Sequence, residues 1–237
     1  MKKPKKITVK PFLNDKLDPI EASIHDSEGK VTKELQYPLY YMVIYNRNNT
    51  KFKSRLGFYY SGIENVPETI IEFESNTIEK ILRYQISKSG EDVDLRGLGN
   101  AFNILSENLF QCVEKYLKNK LKLAAMSADS YLSFMINFED WRNPFSKYYD
   151  VVTSLFGKIS KYIKDDFKIE IEAYNNYYNI YKKYEKQQSG FCQSTLIDWL
   201  NDEHKSFILQ EMNNEKETAN IIHLIEKAVE KSMRRID

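Results

Sequence analysis

Cationic side chains recur on one side of two β-type segments in the N-terminal quarter of the chain. Lys51, Lys53 and Arg55 alternate with other residues in one segment, and Lys6 and Lys10 lie four residues apart in the other. Alternate residues of a strand share a face, so strands here would gather these cations on one face of a sheet. Such a row, with almost no acid in it, is suited to contact with a polyanion. An ordinary solvated face is the alternative.

A β-hairpin over residues 36–60 is the first element that must position these cations. Its strands are rich in Tyr, Val, Ile and Phe, and a polar turn predicted at Asn48-Asn49 separates them. This turn places Tyr45 opposite Phe52, with Phe52 on the apolar face and the cations on the other.

A third strand is predicted over residues 6–13, where Ile7 and Val9 alternate with polar residues. An isolated hairpin is marginal in water, and this strand completes a three-stranded antiparallel sheet. The connection over residues 14–35 is interpreted as a long charged loop, with Val31 to Glu34 extending the strand that follows.

The charge of the chain is divided unevenly. Residues 1–60 hold 12 Lys and Arg against 6 Asp and Glu, whereas residues 61–237 hold 23 against 28. A basic sheet joined to a mildly acidic body is typical of a protein that meets a polyanion at one end.

The apolar period changes from two residues to 3.6 near residue 65, which predicts an α+β fold with two domains. A small antiparallel sheet occupies residues 1–65, and an α-helical domain of six or seven helices occupies residues 66–237. Helices are predicted over residues 68–87, 100–124, 127–137, 143–164, 168–186 and 215–235, with a further helix capped by Ser194. The segment 96–99 is interpreted as a loop.

Tyrosines are concentrated in one predicted helix at the spacing of a single face: Tyr174, Tyr177, Tyr178, Tyr181 and Tyr184. One interpretation is a half-buried face whose hydroxyls reach water. The other is a surface for a protein partner, because tyrosine is enriched at interfaces.

No motif in the sequence indicates catalysis. G-x-S-x-G, Walker A, H-E-x-x-H and G-x-G-x-x-G are all absent. His223 and Glu226 have the spacing of a metal-ligand pair on one predicted helix face, but a di-metal site in a helical bundle would need a second His and further inward-facing acids. We therefore predict a protein that is not an enzyme and has no cofactor or metal.

The compartment is predicted from the cysteines and from the lack of targeting segments. Cys112 and Cys192 show no paired spacing and fit a reducing compartment in which both are buried apolar residues. No signal peptide and no apolar run long enough to span a bilayer occur. These features predict a cytoplasmic protein.

Two segments, KITVKPFLN and YPLYYMVIYNRNNTKFKS, together resemble the arm-type DNA-binding domain at the N-terminus of tyrosine recombinases (integrases) of mobile elements. The resemblance covers about residues 5–60. It implies a three-stranded sheet laid against double-stranded DNA. The residues that it implies as DNA contacts are Lys6, Thr8, Lys10, Arg47, Lys51, Lys53 and Arg55.

The chain departs from that family because the catalytic motifs are missing. The residues three positions after the histidines are Glu28, Phe207 and Glu226, so H-x-x-R is absent. The resemblance therefore implies a non-catalytic accessory or regulatory DNA-binding protein of a mobile genetic element, with a possible protein partner on its helices. The alternative is a protein–protein adaptor that acts through the helical domain without DNA. A helix-turn-helix reader using residues 227–235 is a third hypothesis.

Overall fold

The computed structural model describes residues 5–17, 19–25, 31–128, 145, 149–150, 154, 161–187 and 193–234. These residues form two compact units, one ending at Ser106 and the other beginning at Glu107. The boundary predicted between residues 65 and 66 falls inside the first unit. The reason is that two helices beyond residue 65 pack against the sheet and cover its apolar face.

The predicted α+β class, with a larger helical part, is confirmed. The first unit contains a five-stranded antiparallel sheet, of which the predicted strands form the core. Each of the other strands that the structure describes pairs with β3. The strands are β1 (Thr8–Leu13), β2 (Ile20–His25), β3 (Val31–Tyr45), β4 (Asn48–Lys53) and β5 (Tyr59–Tyr60).

The predicted loop over residues 14–35 is largely a ribbon of strands. β2 pairs with the first half of β3, from Ile20 opposite Gln36 to His25 opposite Val31. The expectation that Val31 to Glu34 extend the next strand is confirmed, because β3 begins at Val31. The β-branched residues of both segments favour this pairing.

The turn of the hairpin lies at Asn46-Arg47, so the prediction of Asn48-Asn49 was wrong. Both turn residues have positive φ, 49° and 65°, as the two-residue turns that match strand twist require. Tyr41 therefore lies opposite Phe52. Because the turn moves by two residues, an even number, each side chain keeps its predicted face.

The apolar face of the sheet packs on two helices, α1 (Glu68–Ser89) and α2 (Leu98–Leu105). The rings of Phe52 and Phe102 are 5.5 Å apart. A Cβ at Gly99 would lie 2.9 Å from the Cβ of Phe52, so a glycine there permits the close approach of helix and strand. The segment 96–99, expected as a loop, is helical instead.

The second unit consists of helices that the structure describes from Glu107 onwards. Five of its helices are α3 (Leu109–Ala128), α4 (Asp165–Gln187), α5 (Leu196–Leu200), α6 (Glu203–Glu211) and α7 (Glu215–Met233). The helices predicted over residues 168–186 and 215–235 are confirmed. Those predicted over residues 127–137 and 143–164 lie largely outside the described residues.

One predicted helix, over residues 100–124, is broken at residues 106–108. The Asn108 side chain caps the second part by accepting a hydrogen bond of 2.9 Å from the Gln111 amide. The Leu109 amide donates to the Ser194 carbonyl, and the Leu196 amide donates to the Glu107 carbonyl. These long-range bonds compensate for the interrupted helix ladder.

The cap of the helix that follows residue 194 is Thr195, one residue after the predicted Ser194. Thr195 and Asp198 form a capping box, in which the Thr195 amide and hydroxyl donate to the Asp198 carboxylate over 2.8 and 2.7 Å. The helix then ends early, because Asp202 adopts φ 60° and begins α6. Two short helices therefore replace the single one predicted.

The tyrosines of α4 are core residues. Tyr174, Tyr177 and Tyr181 are at most 2% exposed, and Phe110 stacks on Tyr181 with ring centroids 4.5 Å apart. Their hydroxyls meet protein groups rather than water, as when Tyr174 donates to Glu114 over 2.7 Å. Both sequence interpretations of these three residues were therefore wrong.

A second set of buried polar groups surrounds Glu170 in α4, whose side chain is 5% exposed. Its carboxylate accepts hydrogen bonds from Lys120 at 2.7 Å, from Lys227 at 2.9 Å and from the Tyr116 hydroxyl at 3.2 Å. Three helices, α3, α4 and α7, are thereby joined. Lys227 is engaged in this cluster, which removes one cation from the helix-turn-helix hypothesis.

Two further expectations concern the cysteines and the membrane. Cys112 is 4% exposed, as predicted, and burial raises the pKa of its thiol to about 12. Cys192 lies outside the described residues. Among the helices described, none combines the length and apolar character needed to cross a membrane.

His204 is buried against α4 and gives a testable pH dependence. Its Nε2 lies 3.1 Å from the Tyr177 hydroxyl, and burial lowers its pKa to about 4 from the ordinary 6.5. Between these values the unfolded chain binds the proton and the folded chain does not.

Stability should therefore fall by about 3 kcal/mol as the pH is lowered from 6.5 to 4. Urea unfolding of the wild type and of His204→Gln across this range measures the difference, since Gln cannot titrate. Identical pH slopes in the two proteins would contradict the prediction.

Candidate nucleic-acid interface

One face of the sheet is formed by alternate residues of β1, β3 and β4. The registers of the two ladders align these residues into rows across the three strands. The rows are Thr8–Ile44–Asn49, Lys10–Met42–Lys51 and Phe12–Tyr40–Lys53. We call this surface the lysine face.

The lysine face is open, whereas the opposite face is closed. Lys10, Lys51 and Lys53 are exposed and Met42 is half-buried, whereas Tyr41, the neighbour of Met42 on β3, is 0% exposed. The lysines lie on the outer strands, and the β3 residues between them on this face, Tyr40, Met42 and Ile44, carry no charge.

Two of the lysines place their ammonium groups close to aromatic rings. The Lys51 Nζ lies 5.6 Å from the centroid of Phe12, and the Lys53 Nζ lies 4.9 Å from that of Tyr59. Lys53 also donates to the Tyr59 hydroxyl over 3.4 Å. Among the described residues, no carboxylate forms a salt bridge with Lys10, Lys51 or Lys53. Their charge is therefore available to an external anion.

The structure brings most of the predicted contact residues to this surface or its ends. Thr8, Lys10, Lys51 and Lys53 lie in the rows. Lys6 is exposed just before β1, and Arg47 is exposed in the turn at the tip of the β3–β4 hairpin.

Arg55 is not part of the row in which the sequence placed it. The strand ends at Lys53, and the Arg55 guanidinium donates to the carbonyl and hydroxyl of Ser106. The Arg55 amide donates to the Glu74 carboxylate over 3.0 Å. Glu74 is 1% exposed, and this burial raises its pKa. Arg55 is exposed, but its guanidinium and amide are bonded within the first unit and do not join the row of the lysine face.

A cavity of about 400 Å³ lies at the hairpin tip and is lined in part by Arg96, which was not among the predicted contact residues. Arg47, Asn48 and Asn49 line one side of it, and Asp94, Leu95 and Arg96 line the other. Arg96 binds Asp94 with both ends of its guanidinium, at 3.0 and 2.8 Å, and these bonds lower the pKa of Asp94. Nothing in the sequence indicates that the hairpin turn and the segment Asp94 to Arg96 line the same cavity.

His223 is exposed on α7, and within the described ranges no group of three or more His, Cys, Asp or Glu could hold a metal ion.

Comparison with protein families, with characterised proteins and with solved structures found no match to this chain. The resemblance to the arm-type domain of tyrosine recombinases therefore stays a prediction from the sequence segments alone.

Proposed function

We propose that this protein binds double-stranded DNA through the lysine face and acts as a non-catalytic accessory or regulatory protein of a mobile genetic element. The observation that carries the proposal is the row Lys10–Met42–Lys51, in which two cations without described carboxylate partners flank an uncharged side chain of the central strand. The role in a mobile element is supported only by the resemblance to the arm-type domain.

The spacing of the cations is compatible with duplex DNA. Adjacent strands lie about 4.8 Å apart, so β1 and β4 are separated by about 10 Å. The major groove of B-DNA is about 12 Å wide and admits β-strands. Lysines on the two outer strands can therefore reach phosphates on both sides of the groove.

The test is a salt titration of duplex binding by the intact protein. Five of the predicted contact residues on the lysine face and at its ends are exposed cations: Lys6, Lys10, Arg47, Lys51 and Lys53. If each neutralises one phosphate, log K should fall with log salt at a slope of about −4.5. No affinity for duplex DNA even at low salt would overturn the proposal and favour the adaptor hypothesis.

A further inference from the structure

The central strand of the lysine face carries side chains that phosphates cannot attract. Tyr40, Met42 and Ile44 of β3 are half-buried, and none is charged. They lie between the lysines of β1 and β4. If those lysines hold the two phosphate chains, β3 faces the base edges between them.

Ile44 has a polar partner suited to base edges. Ile44 and Asn49 are directly opposite in the β3–β4 ladder, so their Cβ atoms are about 5 Å apart. Asn49 is exposed, and its side-chain amide makes no hydrogen bond with any residue that the structure describes. Thr8 lies opposite Ile44 on the other side and adds a methyl and a hydroxyl group.

These groups match one type of base pair in the major groove. Adenine presents N7 and the N6 amine, which an Asn amide binds with two hydrogen bonds, and thymine presents a methyl group that attracts apolar side chains. We infer that Asn49 reads adenine and Ile44 reads the thymine methyl, so that the lysine face prefers A·T base pairs. The inference rests on the proposed binding of duplex DNA and adds a base preference to it.

The experiment compares short duplexes of equal length by fluorescence anisotropy with the intact protein. The probes are alternating A·T, A·U, G·C and I·C sequences. A·U differs from A·T only by the thymine methyl, whereas I·C has the minor groove of A·T and the major groove of G·C. Single-stranded DNA of the same length is a competitor.

We expect A·T to bind about 4-fold more tightly than A·U for each methyl in contact. G·C and I·C should both bind at least about 5-fold more weakly than A·T, because neither offers the adenine edge. Asn49→Ala should remove the preference over G·C, and Ile44→Ala should remove the preference over A·U. Asn48→Ala is the matched control, because Asn48 is exposed on the opposite face of β4.

Each result has a distinct meaning. Equal binding of all four duplexes would overturn the base preference and leave the proposed duplex binding intact. I·C that binds as tightly as A·T would overturn readout in the major groove. Tighter binding of single-stranded DNA would overturn the inference in favour of base stacking on Phe12 and Tyr40. Binding to no duplex at low salt would overturn both proposals.

Discussion

Replacing Lys10, Lys51 and Lys53 together by Ser is expected to reduce the salt slope of DNA binding by about 2.7. Each lysine that neutralises a phosphate contributes about 0.9 to that slope. Taking the affinity at 1 M salt as unchanged, binding at 0.1 M should weaken by about 500-fold. The side chains are exposed, so stability should change by less than about 0.5 kcal/mol per site.

The matched control removes the same charge elsewhere. Lys115, Lys186 and Lys216 are exposed in the helical unit, and their joint replacement by Ser should leave the slope unchanged. Salt titrations of both triple variants, with urea unfolding of each, complete the measurement. An equal loss of affinity in the two variants would show that only the net charge matters, and that the lysine face is not the binding surface.

Replacing Glu170 by Ala is expected to destabilise the helical unit by about 3 kcal/mol, the lower end of the cost of breaking a buried ion pair. The substitution leaves the ammonium groups of Lys120 and Lys227 without their shared carboxylate. Their side chains are 24% and 33% exposed, so water relieves part of the cost.

Glu172→Ala provides the comparison for this prediction, since Glu172 lies on the same helix and is exposed. It should cost less than about 0.5 kcal/mol. Urea unfolding gives both values. If the two variants were equally stable, the Glu170 cluster would contribute nothing to the packing of α3, α4 and α7.

The faces of the sheet could be predicted from the sequence because they depend only on alternation. Phe52 points to the core, and Lys51 and Lys53 point outward, whichever of the two Asn-containing turns forms. The register could not be predicted in this way. Asn46 and Asn48 are both suited to a turn, and alternation does not distinguish them. In the register that forms, Phe52 packs against Phe102 and Gly99 of α2, contacts that local sequence does not reveal.

The remaining errors share a physical cause, which is tertiary hydrogen bonding between distant segments. Arg55 fits the alternation of its strand, yet Ser106 and Glu74 hold it in a turn. The apolar period of the helix predicted over residues 100–124 continues through its break, and only the bonds to Ser194 and Leu196 reveal the interruption. Local periodicity does not encode such partners.

The pairing of every other described strand with β3 also determines how the sheet can assemble. Until β3 is extended, none of these strands has a strand to pair with, so the sheet cannot form without β3. The loss of chain entropy on closing a loop grows with loop length, and the turn at Asn46-Arg47 is the shortest connection. Chain entropy therefore favours the β3–β4 hairpin as the first ladder, and β1 then adds to a template whose register is already set.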